Sequence, residues 1–348
     1  DWSSDVCSSD LGTAASHAWL WDPHHPDRIT CKKTGEVFPG SRFPTKNIRV
    51  QVLSGKMVDV PYVEVEHRGR VDKIQVQARI DFEKTTFLGG TLQRLGAAYA
   101  GTRDERYARI VALVLDAWAK QVPDYFLSGR GGAGDPISPA EAEEQKWVVS
   151  RVSDHNGLAH EWPHGALHAF DCIYDSRALQ ELSARRGYDV RKHIADNFFG
   201  NIGDVFAKRV RPEWAIRTNL SGPYAVLADA ATILHRPDYV EYLNDYLRAT
   251  IEENFVREGM FPESFGYHRE YALTNWQTAR NVARYFSVHP ANTEVLRATK
   301  RRCDERVAFL GRCVEAHQPV CYPDGLIPPF GDSGPTVEDA ARRQATRS

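Results

Sequence analysis

The strongest constraint on this chain is a succession of amphipathic helices joined by turns only a few residues long. Tyr107, Ile110, Val111, Val114, Leu115 and Trp118 recur at intervals of three and four, which puts them on one helical face. Asp104 stands where a helix N-cap belongs, and Pro123 stops the run. The preceding segment, residues 87–100, carries Leu88, Leu92, Leu95 and Tyr99 on one face and ends at Gly101. The pattern then recurs. Residues 224–234 carry Leu227, Ala231 and Leu234, and Pro237-Asp238-Tyr239 opens a helix bearing Leu243, Leu247 and Ile251. In both pairs a tight turn (AGTRDERY, HRPDYVEY) hands over to an acidic residue. Stacked αα-hairpins carry this mark. Helices are expected at 104–121, 224–235 and 239–254, with others at 165–185, 188–209, 268–287 and 293–316.

The rest of the chain is less regular. Residues 12–82 read as an irregular and β N-terminal segment. Its opening run, rich in Pro, Gly, His and aromatics, suggests a folded-over loop, and residues 58–82 alternate apolar and polar about Arg68-Gly69 as a hairpin does. Residues 1–11 (DWSSDVCSSDL) match an in-frame translation of a sequencing adapter and are set aside as a foreign leader. Five cysteines then remain: Cys31, Cys172, Cys303, Cys313 and Cys321. On one helix Cys303 and Cys313 would stand about 15 Å apart, too far for a disulfide, so buried free thiols are expected.

A net charge of -2 gives no case for a nucleic-acid partner. No apolar run reaches the roughly 20 residues that span a bilayer, so no membrane partner is expected either.

Polar side chains gather at three breaks between helices: His155, Asn156, His160, Glu161 and Trp162; Arg217, Thr218 and Asn219; and residues 259–271, with Glu263, Tyr267, His268, Arg269, Glu270 and Tyr271. Each has an ordinary reading as well. Asn219 or Thr218 can be a helix N-cap, and Tyr267 and Tyr271, four apart, can be core aromatics. His155, His160, His164 and His168 have suggestive spacing but form no HExxH pattern, and no metal is assigned to them. Nucleophile-elbow, Walker and dinucleotide motifs are absent. An amide, phenols, imidazoles and guanidinium groups suit β-elimination from a uronic acid. Aimed donors neutralise the sugar carboxylate and hold the enolate. A base takes the C5 proton, and a phenol protonates the leaving O4.

Five stretches in order resemble heparinase II/III-like polysaccharide lyases: HHPDRITCKKTGEVFP, AAYAGTRDERYARIVALVLDAWAKQVPDY, ALHAFDCIYDS, GMFPESFGYHREY and PDGLIPPFGDSG. The resemblance spans residues 20–335 and implies a mainly α fold, an incomplete (α/α) toroid of antiparallel helical hairpins over 83–317. Residues 318–348 would then be a truncated connection to an absent C-terminal β-domain. It implies catalytic roles for Asn219, neutralising the carboxylate, and Tyr267, the acid. It leaves His155, Asn156, Glu161, Trp162, Arg217, His268, Arg269 and Tyr271 to bind substrate. Two departures matter: Leu220 follows Asn219 where the alginate-lyase branch has His, and the chain reaches Ser348 before any HxHxD-like motif; in addition Thr34 replaces a Cys and Glu258 an Asp.

The implied partner is an anionic polysaccharide or oligosaccharide, and the implied location periplasmic or extracellular. No cofactor is expected in this chain, and any structural metal belongs to the absent domain. Alone, the chain is expected to be inactive or weakly active. Two other functions compete. A glycoside hydrolase on a similar toroid would use facing carboxylates among Glu161, Glu263 and Glu270, and a non-catalytic glycan-binding relative would line its cleft with Trp162 and Trp276.

Overall fold

A computed structural model describes residues 19–32, 35–67, 70–74, 76–128, 136–144, 164–209, 221–255 and 265–316. About 70 % of these are helical, and every strand pairing among them is antiparallel. The chain divides into two compact units, Asp1–Val210 and Arg211–Ser348.

The first unit opens on two small sheets. Strands β1 (Trp19–Trp21), β2 (Ile29–Cys31) and β3 (Val37–Phe38) form one. The folded-over loop expected here therefore contains a three-stranded sheet, because Trp19, Ile29, Cys31 and Phe38 all find burial on one face. Trp19 meets Phe38 edge-on at 5.5 Å. Cys31 is disulfide-bonded to a partner outside the described residues, which corrects the free-thiol expectation there. Cys172, Cys303 and Cys313 are free, as expected.

The second sheet joins β4 (Lys46–Gln51), β5 (Met57–His67) and β6 (Arg70–Ile74). The register His67↔Arg70 leaves residues 68–69 to connect the hairpin, as their sequence suggests. The hairpin reading ran on to Phe82, but strand pairing stops at Ile74 and helix α1 (Val76–Thr102) takes over at Val76. Buried Val76 and Ile80 explain the change: one turn apart, they share the core of the first sheet.

Helix α2 (Glu105–Gln121) follows after a two-residue turn, with the Asp104 carboxylate accepting from the Arg106 N–H as its cap. A 3-10 turn at Val122–Asp124 ends it, with Pro123 inside. Strands β7 (Leu127–Ser128) and β8 (Pro136–Ile137) and helix α3 (Pro139–Glu144) come next. The helix expected over 165–185 is two helices, α4 (His164–Ile173) and α5 (Arg177–Arg186), because the Ser176 hydroxyl caps α5 and breaks the run. The span 188–209 is α6 (Val190–Ile194), a π-turn at Ala195–Gly200 and α7 (Asn201–Arg209).

Two features hold these helices. Helices α1 and α4 approach through glycine: a Cβ on Gly96 would lie 2.7 Å from the Ala169 Cα, and one on Gly165 would lie 2.5 Å from the Gly89 carbonyl oxygen. Helices α2 and α5 meet at Asp116, which is fully buried. Its carboxylate accepts from the Tyr188 hydroxyl at 2.6 Å, Lys120 at 2.9 Å and Arg186 Nε at 3.1 Å. Burial pushes its pKa up, but the Tyr188 hydroxyl and Lys120 ammonium outweigh this and hold it below the ordinary carboxylate value.

The second unit contains α8 (Ser221–Ile233), α9 (Pro237–Asn254), α10 (Phe265–Val288) and α11 (Glu294–Ala316). Each contains or closely matches an expected helix. Asp238 lies in the first turn of α9 but does not cap it; its carboxylate pairs with Arg236 at 2.6 Å.

Asp116→Asn should lower stability by about 2 kcal/mol at pH 7, the scale of lost hydrogen bonds to a charged group. Because the folded carboxyl titrates low, its contribution is present above the ordinary carboxylate value and lost as pH falls through the depressed one. Urea unfolding should therefore show the gap between wild type and variant closing towards pH 3. A gap that stays constant from pH 7 to pH 3 contradicts this role.

Candidate functional site

Most of the residues singled out by sequence fall where no side chain is described. His155, Asn156, Glu161, Trp162, Arg217 and Asn219 lie outside the described residues. Tyr267, His268 and Arg269 belong to the first turns of α10 as backbone, and their side chains lie outside the description. Tyr271 is the exception: it is buried, with 8 % of its surface exposed. Its backbone carbonyl accepts from the Asn275 side-chain amide at 2.9 Å.

The sequence did not single out the polar network around Tyr271. The Tyr246 hydroxyl donates to the Asn275 Oδ1 at 2.8 Å. Tyr246 stacks on Tyr224 at 4.2 Å, and the Tyr224 and Tyr242 hydroxyls are 3.0 Å apart. Burial is the first cause raising the pKa of both Tyr224 and Tyr246, so these phenols are held neutral and act as hydrogen-bonding groups. A signal was available in the sequence. Tyr242 and Tyr246 are four apart, and Asn275, Thr278 and Asn281 form a polar stripe three apart that is buried throughout. A buried polar stripe must find partners.

The same stripe fixes how α8 and α10 pack. The Asn281 amide donates to the Ala225 carbonyl at 3.3 Å, Arg284 stands 3.8 Å from the Asp229 carboxylate, and His289 Nε2 meets the Thr232 carbonyl at 2.9 Å. Along both helices the partner numbers rise together, so α8 and α10 run parallel in this unit. In that register Ser221 is level with about residue 277, and α10 reaches about 18 Å further at its N-terminal end. Tyr267 belongs to the overhanging turns of α10.

Trp276, a candidate platform for sugar stacking, is half-buried. Arg280 lies over its ring at 4.7 Å, and Gly311 of α11 packs beside it. His164 and His168, on α4 in the other unit, place their Nε2 atoms 2.9 Å apart.

No protein-family model matches the chain, and no curated protein sequence does.

Tyr246→Phe should destabilise the chain by about 1–2 kcal/mol, because it leaves the buried Asn275 oxygen without that donor. Thermal unfolding reads this directly; an unchanged midpoint would show that the hydroxyl contributes nothing to holding α10.

Proposed function

We propose that this chain is the helical part of a lyase acting on a uronic-acid-containing anionic polysaccharide, its hairpins closing an α/α toroid. Asn219 and Arg217 face the uronate carboxylate and draw off its charge, so the C5 proton becomes removable. A base takes that proton. The C5–H electron pair forms the C4–C5 double bond, and the bond from C4 to its glycosidic oxygen breaks. Tyr267 protonates the departing O4, a task suited to a phenol with an ordinary pKa near 10. His155, Asn156, Glu161, Trp162, His268 and Arg269 bind the polymer, and the protein works in the periplasm or outside the cell.

The observation that carries this reading is the order of the five stretches, from HHPDRITCKKTGEVFP to PDGLIPPFGDSG, that resemble heparinase II/III-like lyases. The parallel packing of α8 and α10 supports a stack of helical hairpins. The buried Tyr246–Asn275 hydrogen bond adds to it, because it anchors α10 to α9 two turns after Tyr267. The resemblance to heparinase II/III-like lyases supplies the reaction type.

The test uses the natural protein that contains this chain, incubated with heparan, chondroitin and alginate separately. One of them should yield the ultraviolet absorbance of a conjugated unsaturated uronide, and Tyr267→Phe should abolish that absorbance while leaving the far-ultraviolet circular dichroism unchanged. New reducing ends without the absorbance would establish the hydrolase instead. Binding without any cleavage would establish the glycan-binding relative. Full activity in Tyr267→Phe would remove this residue as the acid.

A further inference from the structure

Helix α4 begins with two imidazoles one turn apart. His164 and His168 lie at i and i+4, so they share a face of the helix. Their Nε2 atoms are 2.9 Å apart, and their ring planes stand at 79°. At that separation one ring donates its Nε2–H to the other.

The backbone beneath them is fixed. Gly165, between the two, lies against the Gly89 carbonyl, and Ala169, next after the second, lies against Gly96. These approaches are too close for a Cβ, so the first turn of α4 cannot slide or rotate on α1 without breaking both. The imidazoles are therefore presented from a rigid crossing, a condition for a preorganised metal site. His164 is exposed and His168 half-buried.

The spacing is close to what one shared ion requires. With metal–imidazole bonds of about 2.0–2.1 Å, two ligands at a right angle stand about 2.9 Å apart, whereas tetrahedral ligands stand about 3.3 Å apart. The hydrogen-bonded separation lies at the short end of this range, and imidazole suits nickel, copper and zinc alike. A second histidine pair among the described residues differs. His235 and His289 stack with planes only 6° apart, and His289 Nε2 is engaged by the Thr232 carbonyl, so their nitrogens do not converge.

We propose that His164 and His168 chelate one divalent late-transition-metal ion through their two Nε2 atoms. On binding, the ring that now donates moves its proton from Nε2 to Nδ1 through solvent, and both Nε2 lone pairs turn to the metal. No redox change is involved. The site is independent of the lyase reading, since it needs neither Asn219 nor Tyr267.

The experiment is calorimetric titration of the full chain with Ni2+ alone at pH 7.5. Wild type should take up one equivalent. His164→Gln and His168→Gln should each weaken that binding at least about tenfold, since either removes one of two chelating ligands. Removing two exposed imidazoles elsewhere, with His24→Gln and His25→Gln together, should leave it unchanged. Circular dichroism checks that all variants fold. The proposal is overturned if the double variant His164→Gln/His168→Gln, still folded, binds Ni2+ as tightly as wild type. It is overturned equally if the wild type takes up no Ni2+.

Discussion

Short turns between long helices are the constraint on which the rest of the structure depends. Two of them are built alike: Arg103, between α1 and α2, and His235, between α8 and α9, both adopt left-handed backbone angles, with φ of 57° and 53°. A residue with a Cβ pays about 1 kcal/mol or more for that conformation. Each turn offsets the cost with packing. The Arg103 guanidinium lies over the Tyr99 ring, and His235 stacks on His289. Because each turn reverses the chain within a few residues, consecutive helices must lie side by side, and each must bury one face against its neighbour. Different chemistry seals those faces in the two units. In the first unit, glycine lets backbones touch at Gly96 and Gly165, and a buried Asp116 ties α2 to Arg186 and Tyr188. In the second, a stripe of amides and phenols joins α8, α9 and α10.

Much of this fold is legible in the sequence. Apolar spacing of three and four locates α2, α8, α9, α10 and α11, because helices that pack on one side must repeat with the helical period. Local chemistry locates some ends, as with the Asp104 cap and Pro123. Misreadings arise where a local signal is ambiguous or overridden. Val76 to Phe82 alternates like a strand but forms the start of α1, since Val76 and Ile80 are needed in one core. Ser176 sits within an apolar helical pattern yet splits it, because its hydroxyl satisfies the N–H of Leu179. The three-stranded sheet at Trp19–Phe38 is hard to see because its strands are two or three residues long and the intervening segment is dense in proline and histidine.

The candidate site is less legible for a different reason. Several of the residues singled out, such as His155 and Asn219, fall in sequence breaks where periodicity carries no information, while Tyr267 to Tyr271 belong to the start of α10, so residue type and family resemblance must do the work. Sequence reasoning singled out Tyr271 but not the partners that bury it. Tyr246 and Asn275 are 29 positions apart in the chain, and only packing brings them together. That network nevertheless bears on function. It ties α10 to α9 at Asn275, two turns after Tyr267.

The central claim is that this chain serves a reaction that begins by removing the proton at C5 of a uronic acid. The most direct measurement uses a polymer deuterated at C5, treated with the natural protein that contains this chain, with the products weighed by mass spectrometry. Elimination predicts that every newly formed non-reducing end has lost its deuterium to solvent and carries a C4–C5 double bond. Products that keep deuterium at C5 of the new ends, with water added across the cleaved bond, would contradict the account.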